Sequence, residues 1–345
     1  MSQAPERNIF NTLLLADLHL TANPRDAYRW RLFPWLSTVI ERHAVAFLVI
    51  LGDLTESKDY HSARLVNQIV DELCRLNIRI IIVPGNHDGI DPGCPYFRFL
   101  GQFEQITYHQ TVFMGPLAGR QALFLPHTKT PENWETSLLY DAEVIFMHQT
   151  VSGAKSETGI GLEGMAATVL AGAKRAKIWS GDVHVPQKIG AVEYVGAPYP
   201  VRFGDSFKPR AVLLTDSLRK ATDLETPHFA RRTVTLLPGK AQTLTDEGLH
   251  KGDQLKVRIR MTRSQYVDWE KEKRAVLATC TKLGVELCGL EVEKVEETPV
   301  AKVPRRGATP VAATPAQVLA SWAEKQKLDV ALIEAGQQIL SSVAR

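Results

Sequence analysis

The sequence predicts an α/β protein in which two mixed sheets pack as a sandwich with helices outside. Three observations carry that expectation. Short apolar, β-branched runs ending in glycine or polar residues recur through the first two thirds of the chain, at 12–16, 47–51, 78–83, 122–125, 144–147, 177–179, 191–195 and 211–214, and read as buried strands. Between the early runs, segments 28–42 and 62–76 place apolar residues three and four apart, as helices packed on a sheet do. The later runs follow one another with short connections, which suits a second sheet stacked on the first.

After Pro238 the pattern becomes strand, helix, strand. Residues 254–261 alternate, 264–283 are helical with Ser264 at the N-cap, and 286–295 alternate again. The chain is therefore expected to divide into a large unit over 1–240, a small α/β cap over 241–297, a Pro- and Ala-rich linker over 298–314 and a helical tail over 315–345. Lys302, Arg305 and Arg306 make the linker basic. Thr314 and Pro315 supply a cap and a first-turn proline for the tail. Val318, Leu319 and Trp322 give that tail an apolar face needing a partner or a groove.

Composition bounds the function without naming it. With 345 residues, 44% hydrophobic and 23% charged, the chain affords a substantial core. A net charge of +3 permits contact with a polyanion but falls short of a dedicated non-specific nucleic-acid binder. Cys74, Cys94, Cys280 and Cys288 are too widely spaced for a CxxC pair and read as reduced thiols. No apolar run approaches the ~20 residues that span a bilayer, so a soluble cytoplasmic protein with no membrane contact is expected.

Chemistry enters where the strands end. Asp17-Leu18-His19, Gly52-Asp53, Gly85-Asn86-His87-Asp88, His148 and Gly181-Asp182-Val183-His184 each follow a strand-like run, where an α/β sheet presents its loops to ligands. Carboxylate, imidazole and amide oxygen together form the donor set for a pair of divalent first-row metals. One carboxylate shared by two such ions, roughly 3.5–4 Å apart, gives a site that activates water and holds a phosphate. His127 also follows a strand but lies outside this order, and reads as a structural residue.

The ordered set resembles the calcineurin-like metallophosphoesterase pattern D-x-H, G-D, G-N-H-D/E, H, G-H-x-H, over Leu13 to about Phe203. The resemblance implies the two-sheet metallophosphoesterase sandwich and two divalent ions, manganese first, with magnesium the alternative. It puts Asp17, His19, Asp53 and His184 on one ion, and Asp53, Asn86, His148 and Asp182 on the other, with Asp53 bridging. His87 matches the histidine near the leaving group, and Asp88 the acid that orients it. Asp182 departs from the pattern, placing a carboxylate where the family has an imidazole.

The remainder of the chain bears on the substrate. Its order of large unit, small cap, linker and helices resembles the SbcD-type nuclease subunits of DNA repair complexes, as does the segment Gly196-Ala197-Pro198-Tyr199-Pro200. That likeness implies DNA as substrate, an SbcC-type SMC-like ATPase docked on the terminal helices, and a homodimer through the large unit. The compact length fits a phage-encoded relative. Arg202, just after that segment, is a candidate substrate contact, and Lys155, Lys174, Arg175 and Lys177 are weaker ones. Two other classes share the motifs: a phosphatase or phosphodiesterase acting on a small-molecule or protein phosphoester, and a non-catalytic scaffold with an altered metal site.

Overall fold

A computed structural model describes residues 10–91 and 93–295. The expected linker and helical tail lie outside the described residues, as does the end of the expected cap, 296–297. The first sheet is assembled from β1 (Asn11–Ala16), β2 (Val45–Leu51), β3 (Arg79–Val83), β4 (Ile106–Tyr108) and two strands from much later in the chain. Helix α1 (Leu32–His43), which continues a 3-10 turn over Pro24–Arg31, and α2 (Ala63–Arg75) connect its early strands. The second sheet contains β5 (Phe113–Leu117), β6 (Arg120–Leu125), β7 (Val144–His148), β8 (Lys177–Gly181), β9 (Gln187–Ile189) and β10 (Val192–Tyr194), with α3 (Thr136–Asp141) between β6 and β7. Then β11 (Arg210–Thr215) and β12 (Lys220–Glu225) return to the first sheet. The strand orders are β12-β11-β1-β2-β3-β4 and β5-β6-β7-β8-β10-β9. Parallel pairs occupy the centres and antiparallel pairs lie toward the margins, so both sheets are mixed, as expected.

Burial on both faces explains why the central strands are nearly all apolar. Leu14, Ala16, Val49, Leu51 and Val83 point inward against Phe124, Phe146 and Trp179 of the other sheet. Their neighbours Leu13, Leu15, Leu48, Ile50, Ile80 and Ile82 form the opposite face, covered by Leu36 and Ile40 of α1 and Ile69 and Leu73 of α2. Helix α2 starts where Ser62 accepts the Leu65 N–H at 3.2 Å, and its buried Leu65, Ile69 and Leu73 recur every four residues. On the outer face of the second sheet, Leu123, Leu125, Ile145, Met147 and Ile178 pack with Leu139 of α3.

A third sheet, β13-β14-β15, is made of β13 (Arg231–Leu236), β14 (Gln254–Met261) and β15 (Glu286–Lys294), all parallel. Helix α4 (Trp269–Leu283) covers it through Val276 and Cys280, against Val257 and Ile259. Strand β13, ahead of the expected boundary after residue 240, already pairs with β14 of this third sheet. Arg231 joins the two parts: its guanidinium donates to the Val201 carbonyl and to Tyr28 Oη, and lies 3.5 Å from Asp26. Among the described residues, no helix is long and apolar enough to cross a membrane.

Candidate metal centre

Parallel register brings the motifs together. Ala16 pairs with Leu51 and Leu51 with Val83, so β1, β2 and β3 end level, and His148 pairs with Gly181 at the ends of β7 and β8. His148 ends its own strand, and the loops leaving the other ends carry the remaining expected ligands. Their backbones turn sharply: Asp17, His19, Asp53 and Asp182 have φ of 55°, 42°, 52° and 79°. Non-glycine residues in this left-handed region are strained by about 1–2 kcal/mol each, and they cluster at functional sites.

The two oxygens of Asp53 diverge. Oδ2 lies 3.4 Å from His19 Nε2, and Oδ1 lies 3.4 Å from His148 Nε2. On the first side, His19 Nε2 and His184 Nε2 face each other at 3.1 Å, with Asp17 in the same group. On the second side, Asp182 Oδ1 lies 3.6 Å from His148 Nε2 and accepts from Asn86 Nδ2 at 3.1 Å. Its other oxygen accepts from Thr150 Oγ1 at 2.6 Å. Asp17 spans both sides, grouped with His19 and His184 and also with Asp53 and His148, and its Oδ1 accepts the Asp182 N–H. The residue set anticipated from the sequence is thus gathered in one place, Asp182 included.

His148 is held by its surroundings. Its Nδ1–H donates to the Leu51 carbonyl at 2.8 Å, so Nε2 is the nitrogen directed at Asp53 and Asp182, an N–H in the imidazolium and a lone pair in the neutral ring. Three glycines make room for the ring. A Cβ on Gly52 would sit 2.6 Å from His148 Cγ, on Gly85 2.6 Å from Cε1, and on Gly181 2.8 Å from Nδ1. The glycines thus leave room for this imidazole and, at Gly85 and Gly181, for Asp53 and the Leu51 carbonyl as well.

Electrostatics marks the same place. Burial raises the Asp17 carboxyl to about 7, with Asp53 and Asp182 adding to the rise and His148 and His184 opposing it. Burial disfavours charge on His148, but Asp53, Asp182 and Asp17 outweigh it and raise the imidazole to about 9. His19 is driven well below its usual value by burial and by neighbouring histidines. Asp17 Oδ2, Asn86 Oδ1 and His148 Nε2 are buried without a hydrogen-bond partner. Each such atom costs ~1–3 kcal/mol if left unpaired, and in this donor set a pair of cations would satisfy them.

Asp88 plays a different part from the one expected. Its oxygens accept the backbone N–H of Gly85, Asp53 and Leu54 at 2.6, 2.9 and 2.9 Å. It therefore ties two motif loops together, and the ring of His87 is oriented instead by the Glu56 carbonyl, 2.7 Å from Nδ1. Burial lifts the Asp88 carboxyl to about 6, with the loop N–H donors working the other way. Arg202 is exposed at the rim near Glu157, and its backbone N–H is anchored on Asp205. Arg175 and Lys177 are placed at the start of β8, the end away from the metals, where Lys177 donates to the Arg219 carbonyl. The ring of His127 lies 6.1 Å from that of His148, at the edge of the site.

Sequence reading missed several supporting residues. Arg29, buried, donates to the carbonyls of His19 and Val201 and approaches Glu56 at 3.5 Å. Tyr199 donates to the Leu18 carbonyl, so the Gly-Ala-Pro-Tyr-Pro segment braces the Asp-x-His loop. Glu157 pairs with His184 at 2.9 Å. The only sequence signal for Glu56 was its place three residues after Asp53, and for Glu157 its glycine-rich loop.

A two-sheet sandwich with carboxylate, imidazole and amide donors at its strand ends defines a binuclear metallohydrolase. Residues 10–211 match the family model described as calcineurin-like phosphoesterase, and the chain belongs to that family. It is accordingly a metal-dependent phosphoester hydrolase of dimetal type, and its side chains fit two divalent ions. No curated protein matches the chain. Among solved structures, it is similar to an archaeal phosphodiesterase, at 12% identity and TM-score 0.36, and to a dimetal phosphatase from Danio rerio, at 12% identity and TM-score 0.38. Each alignment covers 63% of this chain and 99% of the other.

Proposed function

We propose that this protein hydrolyses the phosphodiester bonds of DNA with two divalent ions, manganese first. The observation that carries the two-metal part is the divergence of the Asp53 oxygens, one toward His19 and the other toward His148. His19 and His184, with Asp17, would hold one ion, and Asn86, His148 and Asp182 the other. Such a pair, when bound, supplies water ionised near neutral pH and neutralises charge on the phosphoryl oxygens. The chain's own residues do the rest. A carbonyl only accepts, so the Nδ1 of His87 carries a proton toward Glu56, and Nε2 is the atom left to meet the leaving oxygen. As an imidazolium, His87 would donate from that atom.

A nucleic-acid chain is supported by a 270 Å³ cleft that shares Gly85 and Asn86 with the second group. Pro84, Pro95, Pro126 and Ile90 give it apolar walls, and Lys58 and Lys129 stand at its edge. Both lysines are exposed, and neither has an ion-pair partner among the described residues. Apolar walls beside unpaired cations suit a nucleotide, its base against the walls and its phosphate near the lysines.

The test uses full-length protein with manganese and three substrates: linear DNA, bis(4-nitrophenyl) phosphate and 4-nitrophenyl phosphate. DNA and the diester should be cleaved well and the monoester poorly. Preference for the monoester would replace this reading with a phosphatase. No turnover of any of the three, with metal bound, would favour the scaffold.

A further inference from the structure

We infer that Glu157 is a positioning residue for the first metal group, fixing the tautomer of His184 so that its Nε2 lone pair faces the shared cation. His184 Nδ1 lies 2.9 Å from Glu157 Oε1, a carboxylate that only accepts. The proton of the neutral ring therefore belongs on Nδ1. The opposite nitrogen, Nε2, lies 3.1 Å from His19 Nε2. At that distance one nitrogen donates to the other, and with the His184 proton on Nδ1 its Nε2 is the acceptor, the lone pair that a cation would take in place of that proton. A carboxylate behind a ligating histidine holds ring orientation and raises the basicity of the ligating nitrogen.

The loop bearing Glu157 is built to hold that carboxylate in place. It runs between β7 and β8 and is closed on itself by Ser156 N–H to the Ile160 carbonyl at 2.9 Å, and by Leu162 N–H to the Ala154 carbonyl at 2.7 Å. Gln187 of β9 fastens its base from both sides, accepting the Lys155 N–H at 2.8 Å and donating to the Lys155 carbonyl at 2.7 Å. Asp205 also approaches His184, but its Oδ2 is engaged by the N–H groups of Val201 and Arg202. His19 is placed differently: its nearest carboxylate, the exposed Glu56, stands 3.4 Å from its Nδ1, against 2.9 Å for Glu157 and His184, and neither Nδ1 has another partner. His184 is thus the histidine of this pair with a carboxylate at contact distance behind its Nδ1.

This inference rests on the proposed two-metal reading and is tested with a readout that does not require activity. Nitrogen chemical shifts of the His184 ring, recorded on metal-free full-length protein at alkaline pH, report which nitrogen is protonated. Manganese titration by calorimetry reports affinity on the same samples. Wild type should show the Nδ1–H form. Glu157→Ala should lose that preference and bind manganese about 10–100-fold more weakly at the first group. Glu157→Gln, which keeps an acceptor oxygen, should restore the tautomer and most of the affinity. An Nε2–H ring in wild type, or Glu157→Ala with unchanged tautomer and affinity, overturns the inference. So does a variant that merely melts earlier with its tautomer intact. Wild type that takes up no manganese would sink the two-metal reading itself, while the metal-free shifts would still decide whether Glu157 sets the ring.

Discussion

His87 and Asp88 are neighbours in sequence but do separate work. The His87 ring, 5.0 Å from that of His19, faces the site, whereas Asp88 is buried behind it as an acceptor for three loop N–H groups. His87→Ala should keep metal binding and lower turnover by about 10²–10⁴-fold, the usual worth of a general acid. Asp88→Asn trades one acceptor oxygen for a donor, leaves buried N–H groups unmatched, and should lower stability by about 1–3 kcal/mol in urea unfolding. If Asp88→Asn slowed turnover at full stability, the acid would be acting through His87 after all. Asp182 sets the character of the second group. With Asp17 and Asp53 it brings three carboxylates to the centre, and oxygen donors favour manganese or magnesium over zinc. Asp182→His gives up the bonds from Asn86 and Thr150, and should tighten zinc relative to manganese in calorimetric titration. An unchanged metal preference would make Asp182 a spectator.

At the scale of the element, the site is a set of strand ends, and its precision comes from how closely they approach. Gly181 ends β8 directly against the His148 ring. A methyl group there would meet the Leu51 carbonyl, the very acceptor that fixes His148. Gly181→Ala should therefore displace His148 and weaken metal binding at the second group far more than at the first, as competition titration would show; equal weakening of both would point to general loosening of the sandwich. The central strands were legible in the sequence because burial on two faces makes them continuous apolar runs. The strands that escaped sequence reading, β4, β5, β9, β12 and β13, all lie at sheet edges. Edges carry polar and charged residues, and β12, Lys220–Glu225, shows almost no apolar pattern. The cluster of expected ligands was legible for a related reason: polar side chains directly after buried strands stand out. Their supports were not, because Glu56, Arg29, Thr150 and Glu157 acquire partners only when separate loops meet. The motif match misled at Asp88, since it says nothing of where this side chain points.

For the whole molecule, the metal centre is a concentration of buried charge that the metal-free fold balances with protons. His148 is raised to about 9, because Asp53, Asp182 and Asp17 outweigh the burial that opposes its charge, and Asp17 is raised to about 7 chiefly by burial. In the unfolded chain a histidine titrates near 6.5 and an aspartate near 3.8. Between pH 6.5 and 9 the folded metal-free protein thus keeps a proton on His148 that the unfolded chain has lost, and stability falls as pH rises through that window. Asp17 acts in the same sense up to about 7. His19, held below its usual value by burial, acts in the opposite sense, but its gain is complete once the unfolded histidine is neutral. Each retained proton changes stability by at most about 1.4 kcal/mol per pH unit. Divalent ions would replace these protons, so metal uptake should release them and strengthen with pH. The melting temperature of chelator-treated protein is expected to fall from pH 6.5 to 9. With saturating manganese the curve should be flatter, and the gap between the two curves should widen toward alkaline pH. Parallel curves would mean that the ions do not displace protons from His148 and Asp17, and would separate the charged cluster from metal binding altogether.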